Sequence, residues 1–403
     1  MHYIAHHNLE KCRRCGVCSE IVACPGAEEE ICIGCGACVL ACRYQAIELR
    51  EENRESDVLI EVDGKLRRVP ERISVKEALE EIGYKVSSCL PAKGALYVPC
   101  QVGACWSCAL EIDGNVRQAC ITEVKEGMRI RTELPKEWVP LRIIGQSMGH
   151  PSAGVGTPWQ LKQYRTPVEV CCLVAGCNLR CPQCQNWFIT YKGKGQHYSP
   201  REGAEFLTEL RKQSNVNRFC ISGGECTINR TWLVQLLKEL KDLNPEPETR
   251  IHISTNGSLL TENYVDELVD AGLTDIGIDL KAIQLDTFMR ITGLVDRELA
   301  QRCKENAWKA VGYVSEHYRE KVFMGIGIPY NKALISLEEI RSMGREIYNV
   351  DSSLQVIAND FRGEYQGGIL RPTWEEMNTV HQVLNATGLT TVLCQTKYEL
   401  IGP

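Results

Sequence analysis

The residues of this chain that are best able to do chemistry are its cysteines, of which there are 22 among 403 residues. Eighteen of them fall in three blocks, at residues 12–42, 89–120 and 171–184. The N-terminal residues lack the apolar core of a signal peptide, so we expect a cytoplasmic protein whose thiols stay reduced. Clustered reduced cysteines are typical metal ligands, and their spacing indicates which metal group they bind.

The first block contains two triplets in which a cysteine recurs at every third position, and each triplet is followed by a more distant fourth cysteine. Such a loop wraps three corners of an iron-sulfur cube, and the fourth cysteine of each run ligates the other cube. This predicts one 4Fe-4S cluster on Cys12, Cys15, Cys18 and Cys42, and a second on Cys32, Cys35, Cys38 and Cys24. Residues 1–52 thus resemble a dicluster bacterial ferredoxin module, except that Arg43 replaces the usual proline. A pair of zinc knuckles is the alternative, but zinc sites seldom show two tandem triplets.

The second block has the spacing C-x4-C-x2-C with a distant fourth cysteine, which is the plant-type 2Fe-2S pattern. The predicted ligands are Cys100, Cys105, Cys108 and Cys120, whereas Cys89 lies outside the spacing and is expected to be a small buried residue. Around them the sequence predicts a hairpin at Asp63-Gly64, a helix capped by Ser74 and a second hairpin at 113–115. Residues 56–133 therefore resemble a β-grasp 2Fe-2S ferredoxin domain, similar to the iron-sulfur subunits of succinate dehydrogenases.

In the third block, Cys177, Cys181 and Cys184 form a C-x3-C-x2-C motif. Three thiolates hold three irons of a 4Fe-4S cube and leave the fourth iron open, which is what a catalytic cluster requires. A zinc site is the alternative, for which His197 is the only histidine close enough in sequence to be the fourth ligand.

The elements that must position this motif follow a stretch, residues 134–164, whose prolines and glycines predict a linker or a surface strap. From residue 165 to 395, apolar segments of strand length alternate with segments of helical periodicity. Six such units predict a parallel sheet curled into a partial (β/α)6 TIM-like barrel, so that the whole chain is a multidomain α/β protein. Functional residues of such sheets lie at the carboxyl ends of the strands, and the cysteine motif follows the first predicted strand.

Residues 165–395 resemble the radical SAM (S-adenosylmethionine) superfamily, because further family motifs follow the successive predicted strands. The resemblance implies that the amino group of SAM is received by Ser222, Gly223, Gly224 and Glu225, that its ribose and carboxylate face Thr255 and Asn256, and that adenine packs near Ile328. Asp279 and Lys281 match the D-x-K element of glycyl-radical activating enzymes. The run that ends at Trp187 is similar to the branch of pyruvate formate-lyase activating enzymes, which makes Trp187 a further candidate for cofactor binding.

Four other residues in this region are less specific. Cys226 stands where the family usually has proline after the glutamate, and we expect it to be a small residue filling a turn. His252, Asp360 and Arg362 are candidates for the substrate side, although a lone histidine on a strand is more often structural.

The resemblance implies reductive cleavage of SAM to a 5'-deoxyadenosyl radical that abstracts hydrogen from a substrate. The implied cofactors are three 4Fe-4S clusters, one 2Fe-2S cluster and SAM, with electrons relayed from an external low-potential donor through the N-terminal clusters. The D-x-K element favours a protein substrate, as in glycyl-radical activation. A small metabolite or cofactor precursor is the alternative, and an electron-transfer protein without SAM chemistry is the third interpretation.

Composition excludes two other classes of partner. A net charge of −6 argues against nucleic acid as the main partner. No apolar run approaches the length of about 18 residues that a membrane-spanning helix needs, so we expect no membrane partner.

Overall fold

A computed structural model of the chain describes residues 2–25, 32–52, 56–162 and 166–403. The boundary predicted between linker and barrel, at residues 164–165, lies outside the described residues. The chain divides into two compact units. The first comprises Met1–Gly145, Val174–Asn178 and Asn186–Ser199, and the second comprises Gln146–Leu173, Leu179–Gln185 and Pro200–Pro403.

The helices and strands up to residue 150 are, in chain order, β1 (His2–His7), α1 (Val17–Glu20), α2 (Ala37–Ala41), β2 (Ile47–Glu52), β3 (Asp57–Val62), β4 (Lys65–Pro70), α3 (Val75–Glu81), β5 (Lys85–Ser87), β6 (Ala95–Tyr97), β7 (Ala109–Ile112), β8 (Asn115–Gln118), β9 (Arg129–Arg131) and β10 (Arg142–His150). Those that follow are a 3-10 helix (Trp159–Leu161), β11 (Glu169–Val174), α4 (Trp187–Thr190), β12 (His197–Tyr198), α5 (Pro200–Ser214), β13 (Arg218–Gly223), a 3-10 helix (Cys226–Ile228), α6 (Arg230–Leu243), β14 (Arg250–Thr255), α7 (Glu262–Asp270), β15 (Asp275–Asp279), α8 (Leu285–Thr292), α9 (Arg297–Tyr318), β16 (Phe323–Tyr330), α10 (Leu337–Val350), β17 (Gln355–Asp360), α11 (Trp374–Asn385), β18 (Thr391–Gln395) and β19 (Leu400–Ile401).

The N-terminal cysteine module is built on the antiparallel pair β1 and β2, which are in register over their full lengths. α1 and α2 each begin after a glycine with a left-handed backbone, Gly16 at φ 76° and Gly36 at φ 74°. Glycine adopts this conformation without the steric cost that a Cβ brings. Each of these glycines directly follows the second cysteine of a triplet, so the chain turns sharply at the point where it must wrap a cluster.

The region that carries the second cysteine block contains a five-stranded sheet in the order β4-β3-β9-β7-β8. β3 pairs with β4 and β7 with β8 in the two predicted hairpins, and β9 pairs parallel with β3. α3 begins with a capping box in which Ser74 and Glu77 satisfy each other's backbone amides. The hydrophobic core includes Ile60, Leu79 and Ile112. The short parallel pair β5–β6 is an addition that the alternation of the sequence does not predict.

The second unit is organised around a parallel sheet. β13, β14, β15, β16, β17 and β18 pair parallel in sequence order, β11 lies next to β13, and β19 pairs antiparallel with β18. The sequence predicts β11 and the five strands β13–β17, whereas β18 is a further parallel strand that it misses. Helices α5–α11 lie between these strands in the chain and bury one apolar face each.

The stretch 134–164 is not the surface linker that its composition predicts. Nine of its residues form β10, and the end of β10 lies beside β11, because the amide of Val168 donates to the carbonyl of His150 at 3.0 Å. Residues 152–157, called here the inner segment, then run along the concave face of the sheet. Glycines and prolines in this stretch therefore shape a closely packed path rather than a flexible connection.

The inner segment contacts five strands of the second unit. Its partners are Glu169 on β11, His252 on β14, Gly277 on β15, Gly325 on β16 and Gln355 on β17. Since six consecutive residues reach all of these strands, the sheet must curl around them. A Cβ at Gly325 would lie 2.1 Å from the carbonyl oxygen of Val155, so glycine is required there for the close approach.

Candidate functional site

The cysteines of the first triplet lie together in the first unit. Burial raises the pKa of Cys18, and the neighbouring thiols of Cys15, Cys42 and Cys12 raise it further. These four residues line one small cavity of about 40 Å³. The grouping is the one that the spacing predicts for the first cluster, with Cys42 supplied by the end of α2.

The second triplet lies beside Cys24 in the same way. Burial raises the pKa of Cys35 to about 11 and that of Cys38 to about 12, and in both cases Cys24 and Cys32 add to the shift. A cavity of about 310 Å³ is lined by all four of these thiols. Four converging sulfur donors suit a 4Fe-4S cluster. The thiols are held in their protonated form by burial and by one another, and iron binding would displace these protons.

The four cysteines of the 2Fe-2S pattern are all buried, each with at most 2% of its surface exposed. Burial and its neighbours raise the pKa of Cys105 well above its usual value, and a hydrogen bond with Cys100 does the same for Cys120. Cys89 is also buried, and its carbonyl accepts hydrogen bonds from Asn178 Nδ2 and the Tyr97 hydroxyl.

The third block is divided between the units, with Cys177 in the first and Cys181 and Cys184 in the second. Burial raises the pKa of Cys181 to about 12, and the positive charge of Lys281 opposes this shift. A cation near the thiols favours their ionised, metal-binding form.

Backbone contacts hold the loop between Cys177 and Cys184 in place. The amide of Arg180 donates to the carbonyl of Thr292, and the carbonyl of Pro182 accepts from the amides of Gln366 and Gly367, at 2.8–2.9 Å. The C-terminal end of α8 and the loop that follows β17 therefore fix the part of the cysteine motif that contains Arg180 and Pro182.

Glu225 joins the carboxyl ends of two neighbouring strands. Its Oε1 accepts from the amide and hydroxyl of Thr227 and from the hydroxyl of Thr255, and its Oε2 accepts from the amide of Asn256 at 2.7 Å. Only 1% of Glu225 is exposed. Three of the predicted SAM-binding residues, Glu225, Thr255 and Asn256, are thus brought together. The segment leading to them is Ser222, Gly223 and Gly224, in which Gly223 ends β13 with φ 113°.

The D-x-K element lies at the end of β15. Lys281 Nζ is 3.4 Å from Asp279 Oδ2, and a Cβ at Gly327 would lie 2.0 Å from Asp279 Oδ1. Ile328 on β16 is fully buried. Cys226 is buried as expected of a small turn residue, and its thiol donates to the carbonyl of Ser254 at 3.4 Å.

Trp187, which the resemblance makes a cofactor candidate, lies in the first unit. The guanidinium of Arg43 is 5.2 Å from the centre of the Trp187 ring and 5.4 Å from that of Tyr44. Cation–π contacts of this kind orient both partners. Arg43 directly follows Cys42, so Trp187 is in contact with a residue next to a predicted cluster ligand.

His252 belongs to a fully buried polar group with Glu169 and Cys220, whose ligand atoms lie within 4.8 Å of one another. Although burial opposes ionisation, hydrogen bonds with His150 and His252 hold the pKa of Glu169 well below its usual value. His252 Nε2 accepts the amide of Gly156 at 3.2 Å. The group anchors the inner segment, which is a structural role for His252. The only sequence signal for this buried group is the charged residue Glu169 at the start of an otherwise apolar strand.

A cavity of about 740 Å³ lies beside the ends of β17 and β18. Its charged lining residues are four basic ones, Lys162, Arg362, Arg371 and Lys397, and one acidic one, Glu399, and the aromatic residues Trp159 and Tyr398 also line it. Arg371 is paired with Asp360 and Arg362 with Glu364. Of these residues the sequence singles out only Asp360 and Arg362.

Lys162 is a partly buried cation of this cavity. Its Nζ donates to the carbonyls of Ser152, Ala153 and Gly154, at 2.7–3.3 Å. Burial lowers the pKa of Lys162 to about 8.

None of the helices in the described part of the chain combines the length and the apolar character that crossing a membrane would require.

Three family models match the sequence. The model of the radical SAM superfamily matches residues 172–339, that of a 2Fe-2S iron-sulfur cluster binding domain matches 55–135, and that of a 4Fe-4S binding domain matches 27–48. The curated relatives include GTP 3',8-cyclase from Alkaliphilus metalliredigens, 31% identical over 29% of this chain, and "Probable GTP 3',8-cyclase" from Saccharolobus solfataricus, 32% identical over 30% of it. This chain spans 35% and 37% of the length of these two relatives.

Among solved structures, Streptococcus suis SuiB bound to S-adenosylmethionine aligns with 17% identity and a TM-score of 0.42, over 58% of this chain and 51% of that one. The family models carry the assignment. The chain contains a radical SAM domain, with 4Fe-4S and 2Fe-2S ferredoxin domains preceding it in the sequence.

Proposed function

We propose that this protein is a radical SAM enzyme that abstracts hydrogen from a small anionic molecule. The cavity lined by Lys162, Arg362, Arg371 and Lys397 is the observation that carries the proposal. Basic side chains in a concave site are the usual means of binding phosphate or carboxylate groups. The relatives support the same substrate class, since GTP, which appears in their names, is a small polyanion. The alternative of a small metabolite or cofactor precursor is therefore favoured over the protein substrate suggested by the D-x-K element.

In this proposal Cys177, Cys181 and Cys184 hold a 4Fe-4S cluster. When bound, the cluster supplies one electron to SAM, whose cleavage gives methionine and a 5'-deoxyadenosyl radical. The charge of Lys281 near Cys181 favours the thiolate form of the ligands. Glu225 fixes Thr255 and Asn256 in position, so that the ends of β13 and β14 present a preorganised surface to the cofactor.

The cationic cavity binds and orients the substrate. Arg371 and Arg362 are each held by a neighbouring carboxylate, so their guanidinium groups are fixed before a ligand arrives. Lys162 forms no ion pair among the described residues, and although its Nζ donates to three carbonyls, its positive charge still attracts an anion into the cavity. Trp159 and Tyr398 offer apolar faces beside these charges, which suits a substrate with a ring as well as an anionic group.

We extend the proposal to the folds of the domains and to the number of clusters. We interpret the curled sheet as a partial (β/α)6 barrel extended by one strand, and the five-stranded sheet with α3 as a β-grasp domain. The cysteine sets then hold three 4Fe-4S clusters and one 2Fe-2S cluster. The N-terminal clusters relay electrons from an external low-potential donor to the cluster on Cys177, Cys181 and Cys184.

The test uses the anaerobically reconstituted full chain with titanium(III) citrate as reductant and SAM as cosubstrate. Formation of 5'-deoxyadenosine is expected, and its absence from protein with a full iron content would refute the enzyme assignment and leave the electron-transfer interpretation. A set of nucleotides and other anionic metabolites is then screened for deuterium transfer into 5'-deoxyadenosine. Arg371→Gln is expected to raise the KM of an active compound more than tenfold and to leave uncoupled SAM cleavage unchanged.

A further inference from the structure

The two predicted 4Fe-4S loops have the same spacing but different surroundings. Arg13 and Arg14, between the first two cysteines of the first triplet, are exposed. The corresponding residues of the second triplet, Ile33 and Gly34, are buried. The first loop is thus the solvent-facing one, and this difference is built into the residues between the ligands.

The exposure extends to a ligand itself. Cys15 is exposed, whereas the four cysteines of the 2Fe-2S loop are buried. Electron transfer between proteins weakens steeply with distance, so a partner must approach a cluster closely. Among the ferredoxin cysteines in the described part of the chain, Cys15 offers the closest approach.

Charge at this surface opposes that of the whole chain. Residues 8–15 carry three exposed basic side chains, Lys11, Arg13 and Arg14, and one acidic one, Glu10, although the net charge of the protein is −6. No ion pair is formed by these three cations among the described residues. Leu9 stands beside them with 80% of its surface exposed. An exposed apolar side chain within a basic rim is the typical composition of a docking surface for an acidic protein.

The same module also contacts a residue that is close in sequence to the radical SAM cysteine motif. Cys42, the fourth predicted ligand of this cluster, is followed by Arg43, whose guanidinium packs on the ring of Trp187. Trp187 lies three residues after Cys184 in the sequence. A cluster held by these four cysteines would face solvent at Cys15 and would adjoin the Arg43–Trp187 contact at Cys42, which are the two contacts that an entry cluster needs.

We propose that Leu9, Lys11, Arg13 and Arg14 form the docking surface for an acidic one-electron carrier protein, and that electrons enter the chain at the cluster of Cys12, Cys15, Cys18 and Cys42. This inference rests on the proposed function, in which the fused clusters supply the radical SAM site.

The experiment measures reduction of the reconstituted full chain by the hydroquinone form of an acidic flavodoxin in a stopped-flow instrument, without SAM. Appearance of the flavin semiquinone reports the transfer. The variant Lys11→Glu/Arg13→Glu/Arg14→Glu is compared with the wild-type protein. At low ionic strength we expect a rate at least tenfold lower and a loss of its salt dependence, because steering by complementary charge contributes about 10- to 1,000-fold to such rates.

The matched control is Lys65→Glu/Arg67→Glu/Arg68→Glu, which reverses three exposed charges on β4 of the 2Fe-2S domain. This variant is expected to keep the wild-type rate within twofold. Slowing in the control instead of the first variant would place the entry at the 2Fe-2S domain and overturn the proposal, as would equal rates for all three proteins.

Two further measurements separate this inference from its premises. Iron content and the rate with titanium(III) citrate must be unchanged in each variant, and Arg13→Gln/Arg14→Gln replaces the triple variant if that one does not load its clusters. Cleavage of SAM with titanium(III) citrate tests the proposed function alone. Its failure together with charge-dependent docking would refute the enzyme and leave the docking surface intact.

Discussion

Replacement of Glu225 by alanine tests whether this residue fixes the ends of β13 and β14. The carboxylate is buried and accepts hydrogen bonds from two backbone amides, those of Thr227 and Asn256, and from two hydroxyls. Hydroxyl groups can rotate to other acceptors, but the two amides cannot. Glu225→Ala therefore leaves two buried donors without their acceptor.

The magnitude follows from the number of amides. Each buried donor left unsatisfied costs about 1–3 kcal/mol, so the free energy of local opening at the ends of β13 and β14 is expected to fall by about 4 kcal/mol. Glu225→Gln keeps the volume and one acceptor oxygen, while its amide group opposes one backbone N–H. We expect about half the effect, roughly 2 kcal/mol.

Hydrogen exchange monitored by mass spectrometry is the suitable assay, because it reports local opening without requiring reversible unfolding. In peptides that contain Thr227 and Asn256, Glu225→Ala is expected to increase exchange about 1,000-fold and Glu225→Gln about 30-fold, since about 1.4 kcal/mol corresponds to a factor of ten. Glu267→Ala is the control, because Glu267 pairs with Arg230 on the surface at 2.8 Å. Such a pair contributes at most about 1 kcal/mol.

The reasoning is refuted if Glu225→Ala exchanges at these amides no faster than Glu267→Ala. That outcome would mean that Thr227 and Asn256 hold their conformation without the carboxylate. A uniform increase over the whole second unit would instead show that Glu225 stabilises the fold globally and does not act on this edge of the sheet in particular.

Three other perturbations have defined outcomes. Binding of an anionic substrate analogue, measured by calorimetry, is expected to weaken as the pH rises through about 8. Burial lowers the pKa of Lys162 to that value, and its charge is lost above it. In Lys162→Met this pH dependence is expected to disappear. Trp187→Leu is expected to slow reduction of the radical SAM cluster by flavodoxin at least tenfold in freeze-quench EPR, whereas Phe188→Leu, a change at the neighbouring exposed ring, is not. Gly325→Ala is expected to lower the melting temperature by several degrees, because the added Cβ would lie 2.1 Å from a backbone atom. Gly312→Ala in α9 is the control. Its Cβ would have no neighbour within 4 Å, and the substitution is expected to raise the melting temperature slightly.

Residues whose spacing is local could be predicted from the sequence. The cysteine sets of the first two blocks are close in the chain, and a cluster constrains their spacing directly. Glu225, Asp279 and Lys281 could be placed because each follows a predicted strand, and the carboxyl ends of parallel strands share one edge.

Residues joined by tertiary contacts could not be predicted. Lys162 and Arg371 line one cavity although they are far apart in the sequence. No spacing rule connects them. Trp187 follows the cysteine motif, which suggested a cofactor contact, but its partner Arg43 is far away in the sequence and carries no signal in the motif.

The prediction of a linker or a surface strap at 134–164 did not anticipate β10 and the inner segment, for a different reason. Proline and glycine mark both flexible connections and tightly packed backbone, and composition does not distinguish them. The signal that distinguishes the two lies in the strands, at Gly277 and Gly325. Glycine at these positions leaves room for the inner segment where side chains would otherwise fill the interior.

The inner segment has a consequence for how this protein can be divided into fragments. A fragment that starts at residue 165, the boundary suggested by composition, would lack β10 and residues 152–157. It would leave a glycine-lined hollow in the sheet and would expose Glu169 and His252 to a void without their hydrogen-bond partners. A fragment that is to fold as the radical SAM domain therefore needs to begin before Arg142, so that it keeps β10 and the inner segment.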